Sequence, residues 1–303
     1  MNVATDKKRI IIAVVCIAAV LAVAIPLLIK YLFGNNVAML SDAGITDTQQ
    51  VTLISHRGMS KYAPENTIEA AEKAFEFGYT HVEFDIRQTK DGVWVLMHDD
   101  NIKRMTNGKG KVSELKCKQL FEYRINVNVK RKDHVIIPTL DEMLIRCNEL
   151  KLHPVIEIKQ SGTEFIDSLI RSIGYCVKEC TIIAFDREQV EAAYKTLSAG
   201  NYVLNNSNTE LYWLVTKLSD ETLDTAKGNV NIGVSFNGNK SGSPEEIKKF
   251  TDSGIKLATW TIDKPERLAE LYALGVKTFT TNNITPYGLP EVSNSEVTVN
   301  ERR

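Results

Sequence analysis

An excess of charge of one sign is missing from this sequence. Its 37 Lys and Arg stand against 38 Asp and Glu, a formal net charge of −1. A nucleic-acid-binding surface needs a basic stripe, so that class of partner has no support. Cysteine is scarce. Cys16 lies in an apolar run, and Cys117, Cys147, Cys176 and Cys180 form no paired zinc spacing. Buried free thiols are the better reading. No Gly-x-Gly-x-x-Gly turn follows an early strand, which removes support for a dinucleotide site on an open doubly wound sheet. Long hydrophobic runs are absent too, with one exception near the N-terminus.

That exception spans residues 10–29, uncharged and apolar, with Lys7, Lys8 and Arg9 before it and Lys30 after it. At 1.5 Å per residue such a helix spans roughly 30 Å, the thickness of a bilayer core. The excess of positive charge on the N-terminal side predicts cytoplasmic residues 1–9, a signal-anchor helix over 10–32 and an extracytoplasmic remainder. Ala22-Val23-Ala24 resembles a signal-cleavage site, so secretion is the alternative; Ile25 to Ile29 extend the apolar run where a polar region should begin. The expected location is therefore the cell membrane, single-pass.

Residues 33–50 read as a linker, 51–291 as one domain and 292–303 as a polar tail. Within the domain, short β-branched runs alternate with amphipathic stretches, the pattern of a parallel sheet with crossover helices. Strands are expected at 51–55, 81–87, 153–158, 181–185, 202–204, 232–235, 256–261 and 278–280, and the economical fold is an α/β TIM (β/α)8 barrel. Residues 67–77 predict a helix capped by Thr67 with Ile68, Ala71, Ala74 and Phe75 on one face. An extra strand is expected at 92–97, followed by a long polar excursion over 101–138 on the catalytic rim.

Polar residues collect at the C-terminal ends of these strands. His56-Arg57-Gly58 follows the first. Glu83 and Asp85, two apart, share a face of the second, and His98-Asp99 ends the added strand. Glu157 and Lys159 end the third, and Trp260 lies near the end of the seventh. Three carboxylates facing one cavity repel unless a cation holds them, and oxygen-only ligands suit Ca²⁺ or Mg²⁺. Two histidines can act as acid and base near neutral pH, and Arg57 and Lys159 suit an anionic oxygen. His81, His134 and His153 lack such surroundings and read as structural.

These segments, in order, resemble the glycerophosphodiester phosphodiesterase family. The resemblance is carried by His56-Arg57-Gly58, Pro64-Glu65-Asn66-Thr67, Glu83-x-Asp85, Asp91-Gly92 and His98-Asp99. It continues through Thr106-Asn107-Gly108-Lys109-Gly110, Ile137-Pro138-Thr139-Leu140, Glu157-x-Lys159 and Trp260-Thr261. It implies a TIM barrel with a small insertion after the second strand. It also implies that Glu65, Glu83, Asp85 and Glu157 surround one divalent cation and that His56 and His98 are the catalytic pair. Arg57 and Lys159 would bind phosphate, and Trp260 would pack on glycerol. Two positions depart from the family pattern: Asn282 where the family often has Asp, and Ala184 before Phe185 where it often has Ser. Both are read as bearing on the alcohol side of the substrate.

The expected reaction is hydrolysis of a glycerophosphodiester to glycerol 3-phosphate and an alcohol. The rival enzymes are a lysophospholipase D and a hydrolase of glycerophosphate polymers. The rival of another class is a non-catalytic barrel that binds phospholipid headgroups.

Overall fold

The computed structural model describes residues 37–126, 135–200 and 209–287. The expected helix over 10–32, the tail over 292–303, His134 and the strand at 202–204 lie outside the described residues. Among the described residues, no helix is long and apolar enough to cross a membrane.

Eight parallel strands close into a barrel. They are β1 (Thr52–Ser55), β2 (His81–Gln88), β3 (His153–Ile158), β4 (Thr181–Ala184), β5 (Glu210–Val215), β6 (Gly233–Asn237), β7 (Leu257–Trp260) and β8 (Thr278–Thr281). Each pairs with the next, and β8 pairs with β1 from Thr278↔Thr52 to Thr281↔Ser55, which closes the ring. Seven helices surround it among the described residues: α1 (Ile68–Glu76), α2 (Leu140–Leu150), α3 (Ile166–Cys176), α4 (Arg187–Ser198), α5 (Asp220–Lys227), α6 (Pro244–Asp252) and α7 (Pro265–Ala273). Thr67, Thr139, Asp186, Ser219 and Ser243 cap α1, α2, α4, α5 and α6 by accepting first-turn N–H groups that would otherwise lack partners.

The fifth strand is a correction. It is Glu210–Val215 rather than 202–204, and its Tyr212 and Leu214 join Ile54, Val155, Ile183 and Ala258 in the barrel interior. The face of α1 is another. Ala70, Ala71 and Ala74 are buried, whereas Phe75 is half exposed. Small residues let α1 lie close to the His56-Arg57-Gly58 turn, where Met59 N–H donates to the Ala70 carbonyl at 2.8 Å. Gly58 has φ +73°, and a Cβ there would sit 2.6 Å from Ala70. The third residue of that triplet must therefore be glycine.

The segment read as a linker is packed in its later part. Leu40 and Ile45 are buried, the 3-10 turn Leu40–Ala43 packs on α7, and the Tyr272 hydroxyl donates to Gln50 Oε1 at 2.7 Å. The excursion after β2 also departs from its polar reading. Its strand Trp94–Leu96 runs antiparallel to the end of β2. Behind that strand, Val95, Met97, Ile102, Val112, Cys117, Leu120, Ile125, Val135 and Ile137 form a separate apolar cluster. The excursion thus holds its shape with a core of its own.

Candidate active site

Period-two geometry sends Val82, Phe84 and Ile86 to one face of β2 and Glu83 and Asp85 to the other. Glu157 lies opposite Asp85 on β3. The three carboxylates are buried, with one oxygen from each within 4.8 Å of the others. Arg57 and Lys159 reach into the cluster. Arg57 Nε lies 3.2 Å from Asp85 Oδ2, Lys159 Nζ lies 3.3 Å from Asp85 Oδ1, and Lys159 also bonds Glu157. The Arg57 main-chain N–H donates to Glu83 Oε2 at 2.8 Å. Arg57 and Asn66 hold positive φ of 57° and 58°, a backbone strain localised at this turn.

Asn66 is a residue that sequence reasoning passed over. Its Nδ2 donates to Asp85 Oδ2 at 2.8 Å and its Oδ1 accepts from Asp85 N–H at 2.9 Å. Arg87 is another. It donates to the His98 carbonyl from Nε and Nη2 and to the Lys159 carbonyl from Nη1, at 3.0, 2.8 and 2.8 Å. It thereby ties the added strand to the end of β3.

Burial, then repulsion by Asp85, pushes the Glu83 carboxyl up to about 8. Burial, then Asp85 and Glu83, does the same to Glu157, to about 8. Burial opposes ionisation of Asp85 as well, but Lys159 and Arg57 outweigh it and hold that carboxyl below the usual carboxylate range. Were all three acids ionised they would outnumber the two bases, and without a further cation Glu83 and Glu157 hold their protons instead. Glu83 Oε1 is buried without a hydrogen bond, as is the neighbouring Ser55 hydroxyl, and Asp85 Oδ1 has only the Lys159 ammonium, 3.3 Å away. Unsatisfied, all-oxygen donors at this spacing fit a hard divalent cation.

Glu65 stands apart from this trio. Arg57 Nη1 donates to its Oε1 at 3.0 Å, and Arg104 adds bonds of 3.0 and 2.7 Å to its two oxygens. Burial opposes its ionisation, but Arg104 and Arg57 hold its carboxyl below the usual range.

The two histidines flank the cluster and have different partners. His98 Nδ1 bonds Asp99 Oδ1 at 2.7 Å, and Arg104 donates to both oxygens of Asp99. That arginine, then the His98 bond, keeps Asp99 down at about 2. His56 Nδ1 meets Asn282 Oδ1 at 2.7 Å, and its Nε2 lies 4.0 Å from Glu83. Burial first, then Arg57, holds His56 below the usual imidazole range. Burial also lowers His98, against the pull of Asp99. Asn282 therefore touches a candidate catalytic residue.

The mouth is a cavity of about 200 Å³ with two halves. His56, Arg57, Glu83, His98, Glu157 and Lys159 line one; Ile183, Phe185, Leu214 and Trp260 line the other. The Trp260 N–H is spent on the Ser235 carbonyl at 3.1 Å, so the indole offers only its ring. Phe185 packs edge-on to it with ring centres 5.4 Å apart. His81 and His153 stack on each other at the start of β2 and β3, away from this mouth.

Buried carboxylates, imidazoles and cations gathered at the mouth of a closed parallel barrel can receive an anionic ester. Residues 56–285 match the model of the glycerophosphoryl diester phosphodiesterase family, and the chain belongs to that family. It is accordingly a phosphoric diester hydrolase. Human glycerophosphodiester phosphodiesterase 1 is 26% identical over 239 residues, covering 71% of this chain and 72% of its own. The glycerophosphodiester phosphodiesterase of Caldanaerobacter subterraneus is 28% identical over 235 residues, covering 74% and 90%. An Oleispira antarctica phosphodiesterase solved with its product sn-glycerol-3-phosphate has the same fold. Its TM-score is 0.65 at 19% identity, over 78% of this chain and 94% of that one.

Proposed function

We propose that this chain hydrolyses glycerophosphodiesters to glycerol 3-phosphate and an alcohol, with one divalent cation, Ca²⁺ or Mg²⁺, and with His56 and His98 as the acid–base pair. The observation that carries this reading is the juxtaposition of three buried carboxylates with two imidazoles across one small cavity. Glu83, Asp85 and Glu157 would hold the cation. Glu65 would join them by exchanging an arginine partner. When bound, the cation supplies positive charge to a non-bridging phosphate oxygen.

The remaining work falls to the chain's own groups. Arg57 and Lys159 hold the phosphate and offset charge that develops on its oxygens. One imidazole takes the proton of the attacking hydroxyl and the other protonates the leaving alcohol oxygen. Trp260 and Phe185 offer an apolar wall to the carbon skeleton of the substrate. A cavity of about 200 Å³ suits a headgroup, so a lysolipid would leave its acyl chain outside the mouth. The run over residues 10–32 would tether the domain to the outer face of the membrane. Protease added to intact cells should then remove the domain; full protection would reverse that topology.

The test is release of glycerol 3-phosphate from glycerophosphocholine by the full-length chain, first in EDTA and then with added Ca²⁺ or Mg²⁺. Metal-restored release is the expected result. Turnover of a lysophospholipid or a glycerophosphate polymer alone would transfer the site to that substrate. Failure on all three, with ligand binding unchanged by chelation, would leave a headgroup-binding barrel.

A further inference from the structure

The loop after β8 fixes more than the position of His56. Asp263, beyond the end of β7, accepts the main-chain N–H of Asn282 at Oδ1 (2.7 Å) and the side-chain amide of Asn282 at Oδ2 (2.9 Å). The Thr281 hydroxyl also donates to Oδ1 at 3.2 Å, and Asn283 Nδ2 donates to the Asp263 carbonyl at 3.0 Å. A carboxylate offers only acceptors, so the NH₂ end of Asn282 must face Asp263. The amide oxygen of Asn282 must then face His56, 2.7 Å from Nδ1. A carbonyl oxygen also only accepts, so that short contact requires a proton on Nδ1.

We propose that Asp263 and Asn282 are positioning residues that lock the neutral His56 ring in its Nδ1–H form. The Nε2 lone pair then points toward the carboxylate cluster and the cavity. This inference rests on the reading of His56 as an acid–base residue. In the locked form the ring receives a proton at Nε2 while its Nδ1–H bond to Asn282 stays in place. Ring rotation and tautomer exchange are both unnecessary. The arrangement also explains why an amide stands at position 282. A carboxylate there would lie against Asp263, whereas an amide can donate to Asp263 and accept from His56 at once.

The experiment is nitrogen NMR of the full-length chain labelled at its five histidines. Spectra are taken at pH 8 without metal and with Mg²⁺, and His56 is assigned by the signals lost in His56→Ala. The expected wild-type pattern is a protonated Nδ1 and an unprotonated Nε2. Asn282→Leu should abolish that single pattern and lower kcat by about 10²-fold or more, with KM changed far less. Asp263→Asn, which leaves the Asn282 amide free to turn over, should mix the two forms. Exchanging the pair, Asn282→Asp with Asp263→Asn, restores one acceptor toward His56 and should restore both the pattern and most of the turnover. A wild-type His56 protonated at Nε2 would overturn the proposal, even if Asn282→Leu fails to fold. So would a folded Asn282→Leu with tautomer and kcat unchanged. A locked tautomer beside a fully active His56→Ala would leave the lock standing and remove His56 from catalysis.

Discussion

Glu83 and Glu157 keep their protons to about pH 8, against 4.5 for an exposed glutamate, so the metal-free folded chain binds more protons than the unfolded one between those values. Their contribution to stability is present below that window and is lost as pH rises through 8. Imidazoles act in the other direction. Burial lowers His81 to about 4 from 6.5, so this group's own contribution is lost as pH falls through that range. The melting temperature in EDTA should therefore fall from pH 6.5 to 8, where the imidazoles no longer oppose the two glutamates. Added Mg²⁺ or Ca²⁺ should remove most of the alkaline decline, and scanning calorimetry at three pH values checks it. A flat alkaline limb without metal would show that the two glutamates are ionised there.

Asn66 makes a second case at this scale. Asn66→Ala removes both of its bonds to Asp85, and metal affinity measured by titration calorimetry should fall about 10- to 100-fold. Glu83, Asp85, Glu157, Lys159 and the two histidines were legible at strand ends from periodicity and chain order, whereas Glu65 and the roles of all of them came from the family resemblance. Asn66, Arg87, Arg104 and Asp263 were not legible as site residues, and Asn282 was legible only as a departure from the family pattern. Their roles depend on which side chain lies across a turn or a neighbouring strand end, and spacing along one strand carries no such information. His98-Asp99 gave a hint, as a carboxylate next to an imidazole, and Arg104 completes that group from five residues away.

Elements were legible where a strand or helix had a clear period and a clear punctuation. β2, β3 and β8 lie where the β-branched runs put them. β5 was misplaced because Glu210–Val215 follows a polar stretch and carries two aromatics on opposite faces, which masks the alternation. The packing of residues 39–50 was not legible because their two apolar anchors, Leu40 and Ile45, are spaced too irregularly to show a period. Their burial makes a prediction: Leu40→Ala should cost about 2–5 kcal/mol in urea unfolding. A chain begun at Val51 should melt lower than one begun at Met39, because both anchors are gone. At the His56-Arg57-Gly58 turn, Gly58→Ala forces a positive φ on alanine and a contact with Ala70. Activity and melting temperature should fall together, by about 1–3 kcal/mol in stability.

At the scale of the whole molecule, the barrel brings together groups from β1, β2, β3, β7 and the excursion, and Arg104 of the excursion grips both Glu65 and Asp99. Arg104→Ala should release the excursion from the barrel. Turnover should fall while the far-UV circular dichroism of the barrel stays intact, and limited proteolysis should cut the excursion first. Cleavage at the wild-type rate would contradict this role. The seam of the ring has its own consequence. His56 leaves β1 with its main-chain N–H on the Thr281 carbonyl of β8, and Asn282, the residue just after that last strand, meets its ring. A chain emerging from the ribosome thus carries its carboxylates, cations and both imidazoles long before it carries the partner that aligns one of them. Chemistry should be silent in every shortened product ending before β8 and should start only when the final strand zips beside the first, so that turnover reports completion of synthesis.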